Sequence, residues 1–130
     1  MINKGAIFHS SYLVSSKIYN GFTEIFEDNN PLHTDKDFAK SKGFKNCVMY
    51  GNILNGFLSH FIGEVLPIKN VIIHSQEIKY SKPVFLNDKL SLTAIVQEVY
   101  ESVNVIKFNF TFSNKYQQTV AKGKIQIGLI

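Results

Sequence analysis

Asp28 and His33 lie five residues apart in the segment Asp28-Asn29-Asn30-Pro31-Leu32-His33. A carboxylate and an imidazole are among the side chains that most often move protons for a substrate near neutral pH. The proline between them fixes its own φ and pushes Asn30 away from helical backbone. The segment therefore reads as a sharp turn, which Asn30 can hold through its own side chain. Such a turn can bring Asp28 and His33 to one side, where they serve one substrate as general acid and general base. The same residues also fit a plain helix end, an ordinary turn and a surface histidine.

A second candidate is Gly51, at the start of the strongest helix expected from the sequence, residues 51–65. The first N–H groups of a helix have no partner within it, and the helix dipole favours negative charge there. Glycine also allows a close approach to the backbone. Ile53, Leu54, Phe57, Leu58, Phe61, Ile62 and Val65 give this helix a broad apolar band. At about 100° per residue, Asn52, Asn55, Gly56, Ser59 and Gly63 fall on one stripe within it. Small and polar residues along one line fit a ligand passage, or a second backbone packed closely through glycine.

Other reactive side chains carry less. His9, His60 and His74 have no partner at metal-ligand spacing, so no metal is expected. The single cysteine, Cys47, excludes an internal disulfide and a multi-cysteine metal site, and reads as a structural thiol in an apolar run. Asp88, in an Asn-Asp turn, reads as structural, and Lys79 and Lys82 as solvated lysines with a possible phosphate contact. No Walker pattern or dinucleotide fingerprint is present, and no cofactor is expected.

The elements that must position these residues follow from periodicity. Residues 5–13 read as a first strand. Ser15 or Ser16 caps a helix with Ile18, Phe22, Ile25 and Phe26 on one face, ending near Asp28. A short helix over residues 35–40 has Thr34 or Asp35 as cap and Gly43 beyond its end. From Val71 on the chain reads as four strands in meander, residues 71–80, 89–99, 103–113 and 118–129. Leu90, Leu92, Ala94 and Val96 share one face. The third of these strands changes phase between Val105 and Ile106, which implies a bulge or strong twist. One long apolar helix against an antiparallel sheet is an α+β architecture.

The 130 residues have the size of one domain, residues 1–130, with Phe and Tyr supplying bulky core material. The net charge of +4 is dispersed, so nucleic-acid binding is not expected, while a mildly basic surface suits acidic partners. No signal-peptide core and no membrane-spanning run is seen, so a cytoplasmic location without membrane attachment is the expectation.

The pattern Asp28-x-Asn30-Pro31-x-His33-x-Asp35 resembles the signature of the MaoC-like dehydratases, the (R)-specific enoyl-thioester hydratases. Tyr50-Gly51-Asn52-Ile53-Leu54 resembles the family's His-Gly helix start, and Leu66-Pro67 its helix end. Tyr80-Ser81-Lys82-Pro83-Val84-Phe85-Leu86-Asn87-Asp88 resembles its Phe-x-x-Pro-Val-x-x-Gly-Asp strand and turn. Glu27 stands where the family usually has Gly, and Tyr50 where it usually has His.

The resemblance implies a hotdog fold, in which the sheet wraps around the long helix, and a homodimer with active sites near the subunit interface. It implies hydration of trans-2-enoyl thioesters of coenzyme A or acyl carrier protein, or the reverse dehydration of (R)-3-hydroxyacyl thioesters. Asp28 and His33 would be the catalytic pair and the Gly51 N–H the oxyanion donor. Asn30, Tyr50, Asn55 and Ser59 would contact or shape the substrate site. A hotdog thioesterase using Asp28, or a non-catalytic acyl-binding or interaction subunit, are the competing expectations.

Overall fold

A computed structural model describes residues 2–130; Met1, part of the expected single domain, lies outside the described residues. The chain opens with β1 (Ile7–Leu13), then α1 (Ser16–Phe26), α2 (Pro31–Thr34), α3 (Lys36–Ser41) and α4 (Asn52–His60). The strands β2 (Val71–Tyr80), β3 (Lys89–Tyr100), β4 (Val105–Ser113) and β5 (Thr119–Leu129) follow.

Each helix start has its chemical cause. Ser15 accepts a hydrogen bond from the Ile18 N–H at 3.2 Å and caps α1. Asp35 accepts from Asp37 and Phe38 N–H and caps α3. The Asn30-Pro31 step differs from the expected turn. Asn30 accepts from Leu32 N–H at 2.9 Å and Pro31 occupies the first turn, so the proline begins α2 instead of only breaking the chain.

The expected helix over residues 51–65 holds, but its last turn widens. Residues Phe61–Val65 are π-helical, and the Leu66 N–H reaches back five residues to the Phe61 carbonyl at 3.1 Å. Pro67 forces Leu66 into extended backbone, and Lys69 Nζ donates to the open carbonyls of Gly63, Glu64 and Leu66.

The five antiparallel strands run in the order β1-β3-β4-β5-β2. This corrects the expected four-strand meander: β3, β4 and β5 are consecutive neighbours, but β2 pairs with β5 at the far edge. The connection over residues 81–88 carries Pro83 and bonds instead to the segment before α4, where Met49 N–H donates to the Val84 carbonyl at 2.8 Å. The phase change near Val105 also has another origin. Val103 lies outside β4 in a 3₁₀ turn and Asn104 adopts left-handed backbone, so β4 itself alternates cleanly. The register irregularities fall at Gln97 in β3, His74 in β2 and Val120 in β5. The second re-phases β2, so that Gln76 and Ile78 are half-buried beyond it as Val71 and Ile73 are before it.

Leu90, Leu92, Ala94 and Val96 of β3 are buried with Ile106, Phe108, Phe110 and Phe112 of β4. Ile53, Leu54, Phe57, Leu58, Phe61 and Ile62 join them in a single cluster. One apolar helix thus fills the inner face of one antiparallel sheet, the α+β hotdog arrangement. No helix among the described residues is long and apolar enough to cross a membrane.

Candidate active site

α1 ends in a left-handed turn at Glu27, with φ 52° and ψ 32°. That backbone favours glycine, which accounts physically for the residue the family usually carries here. The Glu27 side chain is exposed and points to water. Asn87, where the family pattern has its other Gly, is also left-handed at φ 70°, a conformation that asparagine tolerates. Asp88 accepts from the Phe85 N–H at 3.0 Å and is structural, as expected.

From this turn the chain presents Asp28, whose Oδ1 accepts from the Asn30 N–H at 3.2 Å. Thr34 fastens the far side, its hydroxyl reaching the carbonyls of Asn29 and Asn30. His33 Nδ1 lies 2.6 Å from the Val48 carbonyl oxygen. A carbonyl only accepts, so Nδ1 carries the proton and, in the neutral ring, Nε2 is the acceptor. The Tyr19 hydroxyl ties the same two residues from behind, 2.8 Å from the His33 carbonyl and 3.0 Å from that of Val48. Burial, with Cys47 and Tyr50 adding to it, pushes the Tyr19 phenol well above its ordinary range and keeps it a donor.

Two cavities flank the first turn of α4. The smaller, about 380 Å³, is lined by His33, Gly51, Leu54, Tyr80, Lys82 and Val84 among others. The larger, about 1620 Å³, is a mostly apolar cleft between α1, β1 and α4 and includes Asp28, Phe22, Ile25, Asn55, Gly56 and His60 in its walls. His33 and Gly51 therefore meet on one cavity, while Asp28 opens on its neighbour; the two are not brought together on a single wall. A Cβ placed on Gly51 would lie 3.1 Å from the Tyr80 ring, so glycine here also makes room for that phenol.

The other expected contacts divide. Asn55 is half-buried and holds a polar chain: its amide donates to Asn52 Oδ1 at 2.9 Å, and Gln76 donates to Asn55 Oδ1 at 3.0 Å. Burial raises the Tyr80 phenol and the neighbouring Asn55 side chain partly offsets this. Ser59 is exposed one turn further along and lines neither cavity. Gly56 and Gly63 meet nothing within 4 Å where a Cβ would stand, so the small-residue stripe is not a glycine seam against the sheet. Tyr50 is 2 % exposed and lines neither cavity. Asn30 serves the backbone of α2. Among the described residues no cluster of three or more metal-ligating side chains occurs.

Sequence reasoning missed Tyr19, Thr23 and Tyr80. Tyr19 and Thr23 are helix residues whose partners His33, Val48 and Tyr50 lie far along the chain. A phenol on α1 near the apolar face was the only available signal for the first. Tyr80 was visible only as a tyrosine in place of the family's phenylalanine.

Comparison with known proteins gives a family and a fold. The family model described as "MaoC like domain" matches residues 3–118. An (R)-specific enoyl-CoA hydratase from Aeromonas caviae is 32% identical over 80 residues, covering 62% of this chain and 60% of that protein. A mitochondrial 3-hydroxyacyl-[acyl-carrier-protein] dehydratase from Arabidopsis thaliana is 24% identical over 127 residues, covering 95% of this chain and 75% of that one. The match to the first of these thus spans about three-fifths of the relative's length. The solved structure of an (R)-hydratase from A. caviae superposes with a TM-score of 0.90 at 23% identity, over 99% of this chain and 98% of that one. The family model runs from before β1 to the start of β5 and takes in both cavities, and on that match the chain belongs to the MaoC-like domain family.

Proposed function

We propose that this protein interconverts trans-2-enoyl and (R)-3-hydroxyacyl thioesters of coenzyme A or acyl carrier protein. The observation that carries the reading is the His33 imidazole, fixed through Nδ1–H at 2.6 Å and sharing a cavity with the glycine that opens α4. Hydration adds the water oxygen to C3 and a proton to C2, and negative charge builds on the thioester oxygen between. His33 Nε2 exchanges the proton, and the free N–H at Gly51 stabilises the oxygen. The thioester occupies the smaller cavity. The acyl chain passes over the first turn of α4 into the apolar cleft, where Asp28 orients the water that attacks C3. Asn55 and Gly56 line that path.

The reading includes a homodimer. β2 is a ten-residue edge strand whose outer side pairs with nothing among the described residues, and pairing between copies is one way proteins cover such an edge. Sedimentation at micromolar concentration should find a dimer; a stable active monomer refutes this part.

The test of the reaction is hydration of crotonyl-CoA, with release of free thiol followed in parallel. The expected result is loss of enoyl absorbance without thiol release. Thiol release at the same rate indicates a thioesterase that uses Asp28 to direct water at the carbonyl. Neither signal, with carrier-protein substrates also silent, indicates a non-catalytic subunit.

A further inference from the structure

Tyr50 fills a position where the family usually has an imidazole, yet its side chain faces neither cavity. Its hydroxyl lies 2.6 Å from the Asp28 carbonyl oxygen and 2.6 Å from Thr23 Oγ1. Counting protons gives the chain a direction. The carbonyl can only accept, so the phenol proton goes to Asp28, and Thr23 must donate to the phenol oxygen. Thr23 is also 3.2 Å from the Tyr19 carbonyl, a longer contact that its single proton can serve only by sharing. The ring of Tyr50 stacks on Phe22 with centroids 4.4 Å apart and lies 4.2 Å from the His33 ring. One buried side chain therefore touches the peptide that carries Asp28, the ring of His33, and, through the chain, Gly51.

We infer that Tyr50 is a positioning residue, which sets the Asp28 carboxylate and the His33 imidazole relative to each other through the hydroxyl contact with Asp28 and the ring contact with His33. The need for such a link follows from the geometry. Asp28 sits just after the strained Glu27 turn and opens on one cavity, while His33 opens on the other. A turn held only at its exposed face has freedom to rotate the Asp28 peptide; the phenol fixes that peptide from within. An error of about 1 Å in such a pair is enough to lower turnover by about 10²-fold.

The inference rests on the proposed hydratase reading, and its test separates the two. Tyr50→Phe keeps the ring contacts with Phe22 and His33 and removes only the hydroxyl. The expected result on crotonyl-CoA is a fall in kcat of about tenfold or more with KM changed less than about twofold, because the lost group acts on the reacting geometry and not on substrate affinity. Nuclear magnetic resonance of the unliganded protein supplies a readout that needs no activity. The Asn29 amide, part of the peptide that accepts the phenol's hydrogen bond, should shift upfield, and the His33 ring signals should move. A variant with a lowered melting temperature but unchanged kcat and unshifted His33 signals makes Tyr50 a structural residue only and overturns the inference. A raised KM at constant kcat makes it a substrate contact and also overturns it. If the wild-type protein is inactive on every enoyl thioester, the hydratase reading fails, and the resonance shifts alone decide whether Tyr50 links Asp28 to His33.

Discussion

Replacing Glu27 with glycine should stabilise this protein. Glu27 closes α1 at φ 52° and ψ 32°, where a Cβ crowds the following carbonyl. Left-handed backbone costs a non-glycine residue roughly 1–2 kcal/mol. Glycine removes that cost but gives the unfolded chain more freedom, which offsets about 0.4–1 kcal/mol. The net expectation is a gain of about 0.5–1 kcal/mol, or about 2–4 °C in Tm for a domain of this size. The exposed carboxylate also stands at the C-terminal end of the helix, where the dipole disfavours it by a few tenths of a kcal/mol. Glu27→Ala separates the two effects, since alanine loses the charge but keeps the Cβ. Thermal unfolding of wild type, Glu27→Ala and Glu27→Gly at one protein concentration should rank them in that order of rising Tm. Glycine no more stable than alanine would refute the backbone argument.

Two glycines in β5 should behave differently on substitution by alanine. At Gly123 a Cβ would collide with the Glu77 carbonyl oxygen and stand 2.9 Å from the Phe110 ring, so backbone must move and denaturant unfolding should show a loss of about 2–3 kcal/mol or more. At Gly128 the nearest atoms belong to the ring of exposed His74, which can swing aside, and the loss should stay within about 1 kcal/mol; the reverse ranking contradicts the packing described here. Gly51→Ala would press on the Tyr80 ring from 3.1 Å, and that half-exposed side chain can yield, so Tm should change little. The new methyl should nonetheless obstruct the helix N–H, and kcat/KM for crotonyl-CoA should fall about tenfold or more; full activity would remove Gly51 from the mechanism.

The parts of the fold that were legible are those whose information is local. The apolar band of α4 and the alternation of β3 are written in consecutive residues, and both hold. The place of β2 at the far edge is not local: nothing between Val71 and Tyr80 states that its partner is β5. A four-residue helix such as α2 is too short for periodicity, and Asn30-Pro31 reads equally as a turn or as a cap followed by its first helical residue. Val103 has a strand-like residue type but sits in a tight turn set by the left-handed Asn104. In the site, the types and spacing of Asp28, His33 and Gly51 were visible. Their division between two cavities was not, because it depends on how the first turn of α4 meets α1 and on the phenols of Tyr19, Tyr50 and Tyr80. Burial of Tyr50 is a property of the assembled core, while the sequence shows only a tyrosine before a glycine.

The central claim is that His33 moves the proton in enoyl-thioester hydration. Its most direct test is steady-state hydration of crotonyl-CoA by the wild-type protein and by His33→Ala, each shown folded by circular dichroism. The account predicts measurable hydration by the wild type and a fall in kcat of about 10²–10⁴-fold in the variant. Turnover within a few-fold of wild type in folded His33→Ala would contradict it.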